Sequence, residues 1–224
     1  MKTLNPLDHF SSAEAFLSGQ SMPGGLPNLT TELPQETYLE LAAWYCNAGR
    51  HADATRILEL SVSVPGQHNA ETLFWLAWLK QDVDLLEKAK AMSPALVFPF
   101  RVEALPVFQW AANLNGSKLP NNDWKSNYYL ALLLNHLGKS ENAKELFTAC
   151  GDRPDFAPFY AVRADWFPKD ALRDISRAIA LEPEQWRYGV RLARSYNDQG
   201  QGQRMLFSLK TGVMSHFANQ IHQK

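Results

Sequence analysis

The sequence has no excess of positive charge. Its 22 Lys and Arg residues are balanced by 23 Asp and Glu residues, which gives a formal net charge of −1. Nucleic-acid-binding proteins usually carry a basic surplus, and no cluster of Lys and Arg marks a membrane-surface patch. The composition therefore argues against nucleic acid and membrane surfaces as partners.

Long apolar segments are also absent. The longest run, from Leu73 to Leu79, has seven residues, whereas a helix needs about 20 to span a bilayer. The first ten residues contain Pro6, Asp8 and His9 and lack the apolar stretch of a secretory signal. We therefore expect no membrane segment in this chain and, by default, a cytoplasmic location.

Cysteine is scarce, and the sequence motifs of common active sites are missing. Cys46 and Cys150 are the only two cysteines, too few for a disulfide framework, and both are predicted to be buried, reduced thiols. The chain has no G-x-S-x-G motif, its six histidines lack metal-ligand spacing, and no lysine follows Gly24-Gly25 as in a phosphate loop. The sequence therefore predicts neither an enzyme nor a bound cofactor or metal.

What the sequence does contain is helical periodicity. Asn5, Pro6 and Asp8 are typical of a helix start, and the helix is predicted to run to about Leu17 and stop at Gly19. Residues 19–33 contain too many Gly and Pro residues for regular structure. This segment is predicted to be a long loop, either a linker or an ordered flap.

Beyond Pro34, one pattern of small, apolar and turn residues recurs. The first match is formed by Tyr38, Leu41, Ala42, Tyr45, Gly49, Ala54, Leu58 and Pro65. The second is formed by Asn127, Leu130, Ala131, Leu134, Gly138, Ala143, Phe147 and Pro154, and the third by Gly189, Leu192, Ala193, Tyr196, Gly200, Met205 and Leu209. Two shortened matches lie between them: Phe74, Ala77, Trp78, Leu86, Ala89 and Pro94; then Tyr160, Arg163, Ala164, Ala171, Ile175, Ala178 and Pro183.

Each residue type in this pattern has a structural reason. Small residues let two helices approach closely, glycine closes the turn between them, and large apolar residues fill the gap to the next pair. The pattern resembles the tetratricopeptide repeat. It predicts an all-α fold, an α-α superhelix of about five helix pairs over residues 34–217. Residues 1–33 would form an N-terminal helix and loop, and residues 218–224 a tail.

Residues 95–123 interrupt the repeats as an insertion. The string from Phe98 to Glu103 contains Pro99 and is unsuited to a helix interior. Pro106 is predicted to begin a helix that ends near Leu114, and turns are expected at 115–117 and 120–122. Two interpretations of the first part stay open. In the first, Arg101 and Glu103 point into a groove. In the second, which we favour, the two phenylalanines fill a gap between helix pairs while Arg101 and Glu103 pair with buried partners.

A narrower resemblance rests on five strings, Asn5–His9, Glu36–Ala42, Val97–Glu103, Tyr128–Leu132 and Phe156–Tyr160. Together they are similar to the helical C-terminal part of large bacterial proteins whose N-terminal region is β-rich. The resemblance implies that this chain is a C-terminal piece of such a protein, in a carbohydrate-related setting. It implies no catalytic residue.

The first helix of each tetratricopeptide pair lines an inner face, which is the usual binding surface of such repeats. Helical spacing, together with the insertion, predicts an exposed inner stripe of candidates for a polar ligand, peptide or glycan: Glu36, Asn47, Arg101, Glu103, Lys125, Tyr128, Asn135, His136, Asp165, Arg187, Arg194, Asn197 and Asp198. The alternative is that they are solvated helix residues without a partner. Asn47, Lys125 and Arg194 have the right types for a carboxylate clamp but lie in separate repeats.

Two functions are compatible with these features. The first is a non-catalytic scaffold that binds a protein or peptide, including an upstream β-rich domain of the same polypeptide; an exposed apolar patch is its expected mark. The second is a carbohydrate-binding or carbohydrate-active domain. It needs a deep pocket near Tyr128, Arg101 and Glu103, a carboxyl of shifted pKa, and an exposed Trp such as Trp124 or Trp186 for stacking.

Overall fold

The computed structural model describes residues 6–20, 25–26, 29, 32–114, 124–198 and 200–205. Over these residues the chain is helical, without a β-sheet. The α-helices are α1 (Pro6–Leu17), α2 (Pro34–Asn47), α3 (His51–Ser63), α4 (Ala70–Lys80), α5 (Val83–Ala91), α6 (Leu105–Leu114), α7 (Trp124–His136), α8 (Ser140–Cys150), α9 (Ala157–Trp166), α10 (Ala171–Leu181) and α11 (Trp186–Asp198), and a 3-10 turn covers Val102–Ala104.

The chain divides into two compact units, residues 1–150 and 151–224. In the first unit, α2 packs on α3, α4 on α5 and α7 on α8, while α3 also contacts α4 and α6 contacts α7. In the second unit, α10 packs between α9 and α11. Four of the five predicted helix pairs are therefore present, and the all-α fold of tetratricopeptide-like pairs is confirmed. Of the second helix of the fifth pair only residues 202–205 are described, and they are helical. The turns at 115–117 and 120–122 and the tail lie outside the described residues.

The turn that joins the two helices of a pair is built in the same way in several repeats. After α2, the Gly49 N–H donates to the Cys46 carbonyl and the Arg50 N–H to the Tyr45 carbonyl, at 2.9 and 2.8 Å. These two bonds satisfy carbonyls that the end of a helix leaves unpaired, and they require a left-handed residue, which Gly49 supplies at φ +75°. After α4 the same position is taken by Gln81, at φ +52°.

Small residues lie where the helices of a pair touch. Ala42 of α2 and Ala54 of α3 are fully buried, as are Ala131 of α7 and Ala143 of α8. The large apolar residue expected in each second helix is buried as well, for example Phe147. These positions were assigned from the repeat pattern, and their burial explains why the pattern recurs: a larger side chain there would separate the two helices.

Helix α1 has the predicted bounds, and it packs on α2 and α3. The Tyr45 hydroxyl donates to the Glu14 carboxylate at 2.8 Å, and Arg50 donates to the same group at 2.8 Å. Part of the Gly- and Pro-rich loop also contacts α1, since the Leu26 N–H donates to the Ser12 hydroxyl at 2.7 Å and Leu26 is buried. For that part of the loop, the ordered alternative is correct.

Neither cysteine forms a disulfide bond with the other, and their environments differ. Cys150 is buried, and its thiol donates to the Trp124 carbonyl at 3.4 Å. Cys46 is partly exposed, contrary to the prediction that both are buried, and partial burial raises the pKa of its thiol to about 11. Among the described helices, none has the length and apolar character needed to cross a bilayer.

Candidate functional site

The inserted segment lies against helix α2 and is held there by two polar contacts. Arg101 donates to the Glu36 carboxylate at 2.7 Å and to the Glu36 carbonyl at 3.3 Å. The Asn47 amide donates to the Glu103 carboxylate at 2.9 Å. Four predicted candidates are thus brought together, but as partners of one another. The Arg101 side chain is 13% exposed, but its partner Glu36 is 29% exposed and Asn47 is exposed, so the expectation that Arg101 and Glu103 pair with buried partners is wrong.

The two phenylalanines of this segment do not fill a gap between helices. Phe98 is 66% exposed and Phe100 is 47% exposed, so this part of the favoured interpretation is wrong. The buried neighbours are Val97 and Pro99 instead. The segment is extended, so successive side chains alternate between the protein and solvent, and the phenylalanines fall on the solvent side.

Behind this segment lies Glu71 of α4, which was not among the predicted candidates. It is 1% exposed, and its Oε1 has no hydrogen-bond partner among the described residues. Burial, with a smaller contribution from Glu36, raises the pKa of its carboxyl to about 7, while Arg101 opposes the rise. In the sequence, Glu71 follows Asn69 in the first turn of α4, where acidic residues are common at the surface, so nothing signals burial.

Two predicted candidates on α7 are buried, so the prediction that they form an exposed stripe is wrong. Lys125 is 7% exposed, and its ammonium donates to the carbonyls of Lys90 and Met92, both at 2.6 Å, at the end of α5. Tyr128 is 2% exposed and packs between Trp124 and Phe147. Lys125 thus caps a helix end, where a cation is favourable.

These facts also remove the sugar-stacking platform suggested for Trp124, because that side chain is itself only 2% exposed. The next two candidates on α7 remain at the surface. Asn135 accepts a hydrogen bond from Ser140 at 3.1 Å, and His136 lies edge-on to Phe100 with ring centres 6.4 Å apart. His136 is therefore beside the inserted segment.

The second unit contains a cleft that collects three further candidates. It has a volume of about 450 Å³ and lies between α9, α10 and α11. Its apolar part is formed by Pro168 and Ala171, together with Ala164 and Ile175, which are 6% and 1% exposed. Its polar part is formed by Asp165, Arg191, Arg194, Ser195 and Asp198. Asn197 lines an adjoining cleft with Arg194, Asp198 and Met205.

The charged groups of this cleft fall into two kinds. Arg191, which was not among the predicted candidates, donates to the Asp165 carboxylate and to the Ala161 carbonyl, and so ties α11 to α9. Arg194 and Asp198 are exposed and form no ion pair with any described residue. The cleft therefore contains one ion pair, Arg191 with Asp165, whose charges neutralise each other. It also contains one cation, Arg194, and one anion, Asp198, that can bind a ligand.

A buried ion pair fixes the two helices beneath the cleft. Arg163 of α9 donates to both oxygens of Asp174 of α10, each at 2.7 Å, and these side chains are 7% and 1% exposed. Because removal of one partner would leave a buried charge alone, this pair holds α9 and α10 in one arrangement. The last candidate, Arg187, is exposed and stacks over Trp186 at 5.2 Å, away from the residues that line the cleft.

Three acidic side chains of the candidate set are bound to other side chains of the protein. Glu36 is bound to Arg101, Glu103 to Asn47 and Asp165 to Arg191. Among the described residues, no three His, Cys, Asp or Glu side chains are close enough to hold a metal ion. What the arrangement does provide is binding chemistry, namely apolar surface next to oriented charges.

Comparison with known proteins gave distant structural likeness only. No protein-family model and no curated protein matches the chain. A crystal structure of MamA protein is similar with a TM-score of 0.47 and 13% identity, covering 87% of this chain and 98% of that one. MamA from residue 41 to its end, from Desulfovibrio magneticus RS-1, is similar with a TM-score of 0.44 and 13% identity, covering 83% and 96%. Likeness at this distance carries no argument about function.

Proposed function

We propose that the chain is a non-catalytic scaffold that binds a segment of a partner protein in the cleft between α9, α10 and α11. The observation that carries the proposal is the pair Arg194 and Asp198, two exposed opposite charges beside an apolar surface and without an ion-pair partner in the described residues. Charged residues one turn apart usually pair or face solvent. In this cleft they border a concave apolar surface, which is where ligands bind.

The chemistry of the cleft favours a peptide over a sugar or an anion. Pro168 and Ala171, next to the buried Ala164 and Ile175, suit an aliphatic side chain, whereas the nearest charges are of both signs and give no net attraction for an anion. Arg194 suits a carboxylate, and Asp198 suits an ammonium or amide donor. A peptide with an apolar residue between an acidic and a basic residue satisfies all three groups.

The resemblance to bacterial proteins with a β-rich N-terminal region suggests one source for that peptide, an upstream region of the same polypeptide. Under this proposal the cleft joins the helical repeats to another part of a larger protein. A separate protein with the same peptide chemistry would bind in the same way, so a test with synthetic peptides applies to both sources.

The test uses an array of synthetic peptides in which an aliphatic residue stands between one acidic and one basic residue, in both orders. Binding to the purified full chain is measured by fluorescence anisotropy. The decisive variant exchanges the two charges, Arg194→Asp with Asp198→Arg. This variant exchanges the positions of the two charges and leaves the apolar surface unchanged. It should therefore prefer peptides with the acidic and basic residues in the opposite order, and its affinity should change by about tenfold for each ion pair that is reversed.

Arg177→Glu is the matched control, because Arg177 is an exposed arginine of α10 that does not line the cleft. It should bind the peptides as the unaltered chain does. If the charge-exchange variant and the unaltered chain show the same order preference, or if neither binds any peptide of the array, the proposed site is wrong.

A further inference from the structure

Four apolar side chains stand in a row on the outer side of the inserted segment. Leu96, Phe98, Phe100 and Val102 are 74%, 66%, 47% and 56% exposed. The residues between them, Val97, Pro99 and Arg101, are buried or nearly so. We call the four exposed side chains the outer row. An exposed apolar group of this kind marks an interaction site more often than a scattered surface residue does.

From Val97 to Arg101 the alternation has the period of a β-strand, whereas Leu96 lies in the preceding turn at φ +59° and Val102 begins the 3-10 turn. Side chains of a strand point to opposite faces in turn, which reproduces the observed period of two. Arg101 has extended backbone angles, φ −80° and ψ 130°. Phe98 precedes a proline, which also favours extended backbone. Residues 97–101 therefore form an extended segment that pairs with no strand of the described chain.

The outer row is held in place from the inner side. Arg101 is bound to Glu36 and Glu103 to Asn47, at opposite ends of α2. The Arg101 guanidinium also lies 4.3 Å from the centre of the Phe100 ring, and His136 meets that ring from another side. These contacts fix the extended segment before any partner arrives, so binding does not have to order it.

One edge of this segment has unused hydrogen-bonding groups. The backbone N–H and C=O groups of Phe98 and Phe100 point to the same edge because the residues are two apart. Neither residue forms a backbone hydrogen bond within the described chain. On the other edge, Pro99 has no N–H. The edge that carries Phe98 and Phe100 is therefore the one that can pair with another strand.

Size and charge decide what kind of partner fits. The exposed area of the outer row is about 400 Å², roughly half of what each partner in a stable dimer buries. A second copy or a folded domain would need more surface than the row supplies. The charged residues of the segment, Arg101 and Glu103, are already bound internally, so the row attracts an uncharged apolar sequence.

We propose that residues 97–101, flanked by Leu96 and Val102, bind a short, extended, apolar peptide of a partner protein by strand addition. In this mode the peptide pairs with the backbone of Phe98 and Phe100, and its alternate side chains pack on the outer row. This site is separate from the cleft of the second unit, and it differs in chemistry because it recognises backbone and apolar side chains, whereas the cleft recognises charge.

The test measures anisotropy of labelled peptides that alternate Thr with Val, Ile, Leu or Phe and end in Lys for solubility. A matched peptide set carries N-methyl groups on one edge, which remove hydrogen-bond donors and keep the side chains. We expect the unmodified peptides to bind the full chain, and N-methylation to weaken binding about tenfold. The variant Phe98→Asp with Phe100→Asp should lose binding by at least the same factor, since it places charge in the row.

Val83→Asp is the control, because Val83 is a comparably exposed apolar residue outside the segment. It should bind normally, and far-UV circular dichroism should show equal helix content for all variants. Equal binding of N-methylated peptides, preference for a helix-forming peptide of the same apolar content, or absence of any binding would each overturn strand addition. A dimer of the chain alone that the double Asp variant abolishes would identify a second copy as the occupant and overturn the proposed partner.

Discussion

At the residue scale, the groups with most effect on stability are polar side chains that the fold buries. Burial of Glu71 is unfavourable, because its carboxyl is almost fully removed from water and its Oε1 has no hydrogen-bond partner among the described residues. Lys125 and the pair Arg163–Asp174 are examples of satisfied ones. The difference is that each of the latter meets acceptors or an opposite charge at hydrogen-bond distance.

Glu71 makes stability depend on pH in a defined direction. Burial raises the pKa of its carboxyl from 4.5 to about 7 in the folded chain. Between these values the folded state holds a proton that the unfolded state has lost, so this residue lowers the free energy of unfolding as pH rises from about 4.5 to about 7. Well above pH 7 the destabilisation by Glu71 reaches its full size, and below pH 4.5 it is absent.

We therefore expect Glu71→Gln to stabilise the chain by up to about 3 kcal/mol at pH 8 and to have little effect near pH 4.5. Urea unfolding at both pH values measures the difference. Glu145→Gln is the control, because Glu145 is exposed and forms no ion pair with a described residue, and it should change stability equally little at both. A stabilisation by Glu71→Gln that is the same at both pH values would contradict the assigned cause.

The sequence was a poor guide to these residues, for a physical reason. Lys125 and Tyr128 were expected at the surface because their types are often exposed and their spacing suits an inner face. Their burial depends on α5 ending beside α7, which supplies carbonyls for Lys125, and on Phe147 of α8 packing against Tyr128. Such contacts involve residues far apart in sequence, and helical spacing alone does not specify them.

At the scale of secondary-structure elements, the turns between paired helices are the most predictable feature. Gly49 and Gly138 were assigned to turns from the repeat pattern, and both have left-handed backbone angles, φ +75° and +77°. A Cβ added at either position would meet no atom within 4 Å. The requirement for glycine there is therefore set by backbone conformation and not by crowding.

This predicts opposite effects for two substitutions at equivalent turns. Gly49→Ala should lower the free energy of unfolding by about 1–2 kcal/mol, the cost of a left-handed L-residue. Gln81→Gly should raise the free energy of unfolding by up to about 1 kcal/mol, because Gln81 already bears the cost of a left-handed conformation at φ +52°. Part of this gain is offset, since the variant loses the hydrogen bond that the Gln81 amide donates to the Trp78 carbonyl. Urea midpoints of the two variants test this. A neutral Gly49→Ala would mean that the turn relaxes out of the left-handed conformation.

The inserted segment shows where element-level prediction stops. Its proline excluded a helix interior correctly, and the helix after Pro106 was placed within one residue of α6. The alternation of Leu96, Phe98, Phe100 and Val102 was visible in the sequence, but it does not say which face of an extended segment is covered. The structure decides this through Arg101 and Glu103, whose polar contacts turn the phenylalanines outward.

At the scale of the whole molecule, the balance of charge is the property that the sequence determines most directly. A net charge of −1 leaves no long-range attraction for a polyanion. The all-α fold was also predictable, because it depends on a pattern repeated along the chain. The cleft between α9, α10 and α11 was predictable only in part: Asp165, Arg194 and Asp198 were selected, whereas Arg191, which ties two helices together, was not.

From this charge balance we expect no binding to DNA or RNA. In electrophoretic mobility assays at physiological salt, the full chain should leave a duplex and a single strand unshifted at concentrations of about 10 µM, whereas a basic protein used as a positive control should shift both. Binding in the micromolar range that weakens with added salt would show that the distribution of charge, not its sum, governs the surface.

The state of the two thiols has a practical consequence. Cys150 is enclosed, and Cys46 is held as the unreactive protonated form at neutral pH, since its pKa is about 11. A cysteine introduced at an exposed position should therefore react with maleimide dyes ahead of the native ones. Pairs of such labels, one near the outer row and one near the cleft, would allow distances across the chain to be measured by energy transfer while both native cysteines stay in place.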